Sequence, residues 1–246
     1  QLADARGELA RVDAADAGDI VALEPAVERT HRAVVRRVLG IGADDDASDG
    51  ITFDGWAPSD DLGWAMPIIE GEHDANDSTG EVTKIPTYGF AIGQTLYVQY
   101  MSVKFWGEPG AWDANFAGLA KSTDQGATWT ALDDPKWPGD SNFIQVATAH
   151  VTEQGTEYVY FWSIPSGRFG GVQLMRVPAT EAAVEDAAAY SYFTGVNDDN
   201  QPQWSADMGA ASTVIEGTSG ERSVMWADYL ARWIMTYSDS GNAYIR

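Results

Sequence analysis

The sequence contains no cysteine, which excludes disulfide cross-links, thiolate metal sites and cysteine nucleophiles. Its three histidines, His31, His73 and His150, are too few and too scattered for a histidine-rich metal cage. No G-x-S-x-G motif supports a serine hydrolase of the nucleophile-elbow type. No run of about 18 apolar residues predicts a transmembrane helix. We therefore expect no cofactor, no metal ion and no membrane insertion.

Basic residues are scarce as well. Fifteen Lys and Arg stand against 37 Asp and Glu, so the formal net charge is -22. Such a chain repels nucleic acid and anionic membrane surfaces at long range. Hydrophobic residues make up 44% and aromatic residues 11% of the sequence, which is enough for a folded core. We expect a folded, acidic protein, a monomer, with no nucleic-acid partner.

The composition changes along the chain. Residues 1–40 are rich in Ala, Val and Arg and contain no Trp, Tyr or Phe, whereas the sequence after them is aromatic, Gly-rich and strand-like. We interpret 1–40 as an atypical N-terminal segment, divergent or partly disordered, and 41–246 as one β-domain. The chain begins without Met or a signal peptide and ends within a predicted strand pair. We therefore expect it to be a piece of a longer protein.

Three aromatic, β-branched strands that end in Ser resemble one another, and each is followed after a loop by a second strand. They are TLYVQYMS (95–102), TEYVYFWS (156–163) and ARWIMTYS (231–238). Repeated antiparallel sheets with aromatic cores predict an all-β fold, a β-propeller. The predicted units are an incomplete one up to about residue 84, two over 85–135 and 140–195, and a truncated one from about 205.

The segment STDQGATW (122–129) matches the Asp-box pattern S-x-D-x-G-x-x-W, which is typical of propeller hairpins. We expect Asp124 to accept hydrogen bonds from turn amides, Gly126 to supply a positive φ and Trp129 to pack back on the sheet. Its position in an outer turn indicates a structural motif.

An acidic stretch, DDDASDGITFDGW (44–56), raises the alternative of a calcium loop. An EF-type loop that started at Asp44 would carry Asp49 where glycine is required and Gly55 where a bidentate glutamate is required. We therefore interpret the first three aspartates as a solvated turn, and Asp49 and Asp54 as the functional pair of the stretch.

The loops between paired strands combine Trp with Asp, Asn, Gln and Arg, which is the chemistry of a carbohydrate cleft: rings stack on sugars and polar groups bind hydroxyls. For any single Trp, packing between blades is an equal alternative. Hydrolysis of a glycosidic bond also needs two carboxyl groups, one as acid and one as base or nucleophile. The loop aspartates that could serve are Asp49, Asp54, Asp113, Asp140 and Asp207.

Several segments together resemble a known propeller family, over about residues 36–246. They are SDGITFDGW (48–56), IPTYGFAIG (85–93), YMSVKFWGEPGAWDANFAGLAKSTDQGATW (100–129), WPGDSNF (137–143) and PSGRFGGVQLMRVP (165–178). The family was first catalogued as a domain of unknown function. Its characterised members are endo-D-arabinanases, glycoside hydrolases that cut the D-arabinan of mycobacterial and corynebacterial cell walls.

The resemblance implies a five-bladed propeller that cleaves internal α-D-arabinofuranosyl linkages. We expect an inverting reaction, in which the two carboxyls lie roughly 6.5–9.5 Å apart. It implies a secreted or cell-surface enzyme whose partner is a polysaccharide. The residues that it implies as catalytic are Asp49, Asp140 and, in the upstream Gly-Asp, Asp19. Those that it implies as substrate-binding are Asp54, Trp106, Trp112, Asn115, Asn142, Gln145 and Arg168.

The sequence departs from the family before residue 36. Similar proteins carry a Gly-Asp-Thr-Phe-like and then a Gly-Asp-Trp-Arg-Ser-like motif there, whereas this chain has only Gly18-Asp19-Ile20. The alternative hypothesis is therefore a glycan-binding propeller that has lost catalytic carboxylates. A sialidase is a weaker third hypothesis, because no trio of channel arginines is evident to bind a carboxylated sugar.

Overall fold

The computed structural model describes residues 40–41, 55–56, 60–64, 66–108, 110–168, 170–239 and 242–245. This part of the chain is nearly all β-structure, as predicted, and every strand pair in it is antiparallel. A small sheet pairs β1 (Gly40–Ile41) with β2 (Gly55–Trp56).

Three larger sheets follow one another along the chain. The first contains β3 (Thr83–Ile92), β4 (Thr95–Trp106), β5 (Trp112–Ser122) and β6 (Thr130–Pro138) in sequential order. The second contains β7 (Gln145–Glu153), β8 (Thr156–Ile164), β9 (Val172–Pro178), β10 (Ser191–Val196) and β11 (Pro202–Ser205), with β12 (Thr213–Ile215) also paired to β9. The third contains β13 (Arg222–Ala227), β14 (Arg232–Asp239) and β15 (Asn242–Ile245).

These sheets are the blades of a β-propeller. The first strand of the second blade, β7, contacts β3 of the blade before it and β13 of the blade after it. First strands that meet in this way surround a common axis, and the later strands of each blade lie progressively further out. One short helix, α1 (Glu181–Val184), and 3₁₀ turns join the outer strands of the second blade.

Hydrophobic cores lie between neighbouring blades. Strand β8 shows why: Val159 and Phe161 face the core shared with the first blade, whereas Trp162 packs on Trp233 of the third blade at 5.4 Å between ring centroids. Side chains alternate across a strand, so a strand covered on both faces needs apolar residues at consecutive positions. The aromatic runs of the sequence reflect this double burial.

A half-buried arginine joins the second and third blades near the axis. Arg222, at the start of β13, donates from Nη1 to the carbonyls of Gln145 and Trp162 at 3.0 and 2.9 Å, and from Nη2 to the carbonyl of Gly220 at 2.9 Å. Burial lowers the pKa of this guanidinium from its ordinary value. The three carbonyls compensate part of the cost of removing the charge from water.

The repeat prediction is confirmed, because 95–102, 156–163 and 231–238 form the second strands β4, β8 and β14 of their blades. The predicted boundary near residue 205 is wrong. Strands β11 and β12 still belong to the second blade, and the third begins at Arg222. Both strands are short and lack the aromatic alternation by which the other units were recognised.

The Asp-box hairpin between β5 and β6 has the expected geometry. Ser122 Oγ donates to Asp124 Oδ1 and accepts from the Gly126 amide, both at 2.8 Å. The Asp124 carboxylate accepts from the Thr128 amide and hydroxyl at 2.9 and 2.6 Å. Gly126 has a φ of 90°, and Trp129 Nε1 donates to its carbonyl at 3.0 Å. The motif is therefore a self-contained hairpin closure.

The charge of Asp124 makes a pH-dependent contribution to stability. Hydrogen bonds, that of the Thr128 hydroxyl first, lower its pKa from 3.8 to about 2. A lowered pKa means that the contribution is complete above the unfolded-state pKa and is lost as the pH falls towards the folded-state pKa. We expect Asp124→Asn to lower the unfolding midpoint by about 2–4 °C at neutral pH, with a deficit that narrows below about pH 4. Differential scanning calorimetry across this range measures it.

Asp133→Asn is the matched control, because the Asp133 carboxylate is exposed and its ion pair with Lys136 spans 4.0 Å. This variant should unfold like the parent at every pH. A deficit of Asp124→Asn that stayed constant down to about pH 2.5 would contradict the assignment.

Candidate functional site

The candidate site lies on the face of the propeller where alternate loops meet, which we call the upper face. It carries the loops 107–111, 139–144, 165–171 and 216–221, since every second loop of an antiparallel meander lies at the same edge of the sheet. An open groove of about 460 Å³ runs across this face. It is lined by Lys104, Asp113, Ala114, Asn115, Pro138, Gly139, Asp140 and Ser166.

Two bulges shape one wall of the groove. The pairing of β4 with β5 skips Asn115 between Ser102 and Val103, and it skips Lys104 between Val103 and Phe105. Each bulge inserts one residue into one strand, so the two cancel and the register of the remaining pairs is unchanged. Both extra residues line the groove. The bulges thus place two polar side chains on rigid strands within an otherwise regular blade.

Two carboxylates line the same groove. Strand β5 alternates between buried and exposed residues at its start, so Trp112 and Ala114 face the core and Asp113 faces solvent. Asp140 follows β6 in the tight turn that leads to the next blade, and it is exposed. Of the loop aspartates weighed from the sequence, the groove brings these two together.

The turn before Asp140 lies unusually close to β5. Gly139 donates its amide proton to the Asn115 carbonyl at 3.0 Å, and a Cβ on Gly139 would lie 1.9 Å from the Ala114 carbonyl oxygen. Only glycine permits this approach. Gly139 therefore determines how near the Asp140 loop comes to the wall that carries Asp113.

A second depression, of about 390 Å³, adjoins the groove and shares Asp140 with it. Its other lining residues are Ser141, Asn142, Phe143, Pro165, Gln173, Met208, Gly209 and Ala211. Asp207 lies at the start of the 3₁₀ turn beside it and accepts from the Gly209 amide at 2.9 Å. Asp140 thus stands between two concave surfaces of the upper face.

Arg168 links three loops of the upper face. Its Nε donates to Glu221 Oε1 at 3.1 Å, its Nη2 binds the same oxygen, and a Cβ on Gly110 would lie 3.7 Å from its Nη1. Glu221 Oε2 accepts from Ser238 Oγ at 3.1 Å. Burial raises the pKa of Glu221, but hydrogen bonds from its backbone amide, Arg168 and Ser238 outweigh it, so the pKa lies below its ordinary value. No local sequence pattern marks Glu221 as the partner of Arg168.

The predicted residues Asn142 and Gln145 lie at the start of the second blade, where their contacts are structural. Asn142 Nδ2 donates to the carbonyls of Ser163 and Gly171 at 3.1 and 3.2 Å, which leaves its Oδ1 toward the second depression. Gln145 begins β7, and its Oε1 is buried without a hydrogen-bond partner among the described residues. Its backbone carbonyl accepts from Arg222.

The tryptophans predicted to contact sugar do not line the groove. Trp112 is 6% exposed and belongs to the core between the first two blades, with the Trp106 ring 6.2 Å away. Trp106 is half-buried, and its backbone exchanges hydrogen bonds with the Asn76 side chain at 2.7 and 2.9 Å. For both residues, packing between blades is the alternative that the structure favours.

The predicted residues Asp19, Asp49 and Asp54 lie outside the described residues, as do the other aspartates of the acidic stretch weighed as a calcium loop. Within the described ranges, no group of three or more His, Asp or Glu side chains is arranged to hold a metal ion. No helix in this part of the chain is both long and apolar enough to cross a membrane.

A family model described as "Domain of unknown function (DUF4185)" matches residues 17–246. A curated protein, "Notoamide biosynthesis cluster protein J'" from Aspergillus versicolor, is 26% identical over 217 residues, which are 86% of this chain and 56% of that protein. The chain thus spans little more than half the length of the curated relative that it matches.

Two solved structures resemble parts of the chain. A sialidase from Trypanosoma rangeli in complex with sialic acid matches 65% of this chain and 22% of its own, with 12% identity and a TM-score of 0.36. A putative hydrolase from Bacteroides ovatus matches 78% of this chain and 51% of its own, with 9% identity and a TM-score of 0.44.

The close approach at Gly139 generates a test. We expect Gly139→Ala to lower the unfolding midpoint by roughly 4 °C or more, because the methyl group meets backbone atoms that cannot move aside. Gly89→Ala is the control, since its Cβ would meet its nearest neighbour, the Tyr97 carbonyl oxygen, at an ordinary 3.5 Å. Equal midpoints for the two variants in thermal unfolding would argue against a constrained turn.

Proposed function

The chain belongs to the DUF4185 family, and from that premise we propose that it is a glycoside hydrolase that cleaves internal α-D-arabinofuranosyl linkages of cell-wall D-arabinan. The observation that carries this proposal is the pair of carboxylates, Asp113 and Asp140, that line one open groove. A two-carboxylate site is what glycosidic hydrolysis requires. The specific substrate comes from the family resemblance of the sequence over about residues 36–246.

In the proposed reaction, one carboxyl group is the general acid and the other is the general base. One protonates the departing glycosidic oxygen, and the other activates a water molecule on the opposite side of the sugar ring, which inverts the configuration. Asp140 is the first candidate for either role, and Asp113 is the partner that the groove supplies. Asp49 and Asp19 stay candidates from the sequence for the same pair.

The shape of the site supports action on a polymer. The groove is open, and the second depression continues beyond Asp140, so sugar units could occupy both sides of the reacting bond. An enzyme that cuts within a chain needs such binding on both sides, whereas one that removes terminal units needs a closed end. The substrate implies a secreted or cell-surface protein.

The polar lining supports a neutral sugar. Asp113, Asn115 and Asp140 offer hydrogen-bond acceptors, and among the described residues that line the groove Lys104 is the one cation. Sugar hydroxyls donate to such acceptors, whereas a carboxylated sugar would face two negative charges. Arg168 is the cation of the adjoining loop, and Glu221 already neutralises it.

The test is hydrolysis of purified D-arabinan, followed by the appearance of reducing ends and the size of the products. We expect oligosaccharides from the parent protein and a rate lowered at least about a hundredfold in Asp140→Asn and in whichever of Asp113→Asn and Asp49→Asn removes the partner carboxyl, because general acid or base catalysis contributes that much. Retained folding is checked by circular dichroism. A variant at full activity removes its residue from the catalytic pair.

Asp133→Asn is the control, since this exposed carboxylate lies on β6 and does not line the groove. The competing function is glycan binding without catalysis, which the departure of the sequence upstream of residue 36 favours. Affinity electrophoresis on the same polymer decides between them. Retarded migration without new reducing ends would replace hydrolysis by binding.

A further inference from the structure

Hydrogen bonds on the inner side of the groove wall fix the orientation of the Asn115 side-chain amide. Its Nδ2 donates to Ser102 Oγ and to the Gly80 carbonyl oxygen, both at 3.1 Å. An asparagine amide has two N–H donors, so both are engaged. Its Oδ1 has no hydrogen-bond partner within the described ranges, and the side chain is exposed and lines the groove. Oδ1 is therefore the polar atom that Asn115 offers to a ligand.

Ser102 accepts from Asn115 because its own proton is used elsewhere. The residue is fully buried, and its hydroxyl donates to Glu81 Oε2 at 2.6 Å. A hydroxyl has a single proton, so toward Asn115 the Ser102 oxygen acts as an acceptor. The direction of this hydrogen bond is thus decided at Glu81.

Glu81 is held as an acceptor by its own neighbours. Its Oε1 receives Lys84 Nζ at 2.6 Å and the Glu72 amide at 3.2 Å, and its side chain is 9% exposed. The Ser102 hydroxyl, the Lys84 ammonium group and the Glu72 amide all donate to this carboxylate, which accepts in each contact. Each residue therefore donates to the next: Asn115 donates to Ser102, and Ser102 donates to Glu81.

The reversed amide would be unfavourable at both contacts. If Asn115 turned its oxygen inward, Oδ1 would face the Gly80 carbonyl oxygen and a Ser102 oxygen whose proton is given to Glu81. Neither atom can donate to it, and both acceptors, the Gly80 carbonyl oxygen and Ser102 Oγ, would lose the proton that Asn115 now donates. Two independent contacts therefore select the same orientation.

We propose that Asn115 determines specificity by accepting a hydrogen bond from a sugar hydroxyl, and that Ser102 and Glu81 are positioning residues that keep its oxygen in the groove. The role of Asn115 rests on the proposed function, because the ligand is a neutral glycan. The positioning network stands on the contacts alone. It adds to the site two buried residues that never touch the substrate.

A double-mutant cycle tests the coupling, with a synthetic α-D-arabinofuranosyl tetrasaccharide as the probe. We expect Ser102→Ala and Asn115→Ala each to raise KM about fivefold to tenfold while kcat stays within about twofold. The KM of the double variant should be no higher than that of Asn115→Ala, because the two residues act through one atom. If Ser102→Ala raised KM by the same factor in both backgrounds, positioning through Asn115 would be overturned.

A second measurement needs no ligand. The amide proton that Asn115 donates to Ser102 should be protected from hydrogen exchange in the ¹⁵N spectrum of the parent protein and lose that protection in Ser102→Ala, while the proton donated to the Gly80 carbonyl keeps its protection. A wild type that neither binds nor cleaves the tetrasaccharide refutes the proposed function and the sugar contact with it. An unprotected Asn115 amide in the wild type refutes the positioning network, whatever the activity.

Ser122→Ala is the control for loss of a buried hydroxyl. Ser122 is 2% exposed and lies in the same blade, at the opposite end of β5, where it serves the Asp-box. This variant should unfold at a lower temperature and keep both KM and the protected Asn115 amide. A raised KM here would show that general destabilisation, and not amide orientation, accounts for the effect of Ser102→Ala.

Discussion

Each blade of this propeller that has a neighbour on both sides must bury both of its faces, and the rest of the structure depends on that constraint. In the second blade, Val159 and Phe161 enter one core while Trp162 enters the next. Most of the buried side chains are therefore hydrophobic, and the buried polar ones on the central strands, Gln99 and Ser102 among them, are the minority. The groove with its carboxylates lies where the strands end and the loops of the upper face begin.

The groove is an exception that the fold accommodates without disturbing its cores. Two bulges of opposite effect turn Lys104 and Asn115 outward and then restore the pairing of β4 with β5. A single bulge would have moved every later side chain of one strand to the other face. Because the pair cancels, Trp106 and Trp112 remain in register and in the core. Rigid strands thus carry the groove wall, which favours a preorganised site.

The strands and the Asp-box could be predicted because their signals are local: alternation within a strand and turn chemistry within eight residues. The limit between the second and third blades could not, since β11 and β12 pair through sheet topology rather than through a repeated pattern. The sequence also could not distinguish a tryptophan that contacts sugar from one that packs between blades, and Trp112 is a core residue. The bulge at Lys104 and the contact of Arg168 with Glu221 depend on register and on distant loops, which no local pattern encodes.

Contacts between residues distant in sequence also determine which atoms the groove presents to a ligand. A groove lined by Asp113, Asp140 and an outward-facing Asn115 oxygen presents acceptors, and a chain of net charge -22 adds to its negative potential. Such a surface discriminates by proton donors rather than by charge attraction, which supports a polyhydroxylated, uncharged ligand. On the inner side of the same wall, Glu81 forms an ion pair with Lys84 and accepts the proton of Ser102. A buried charge that never meets the ligand thus selects which atom the ligand meets.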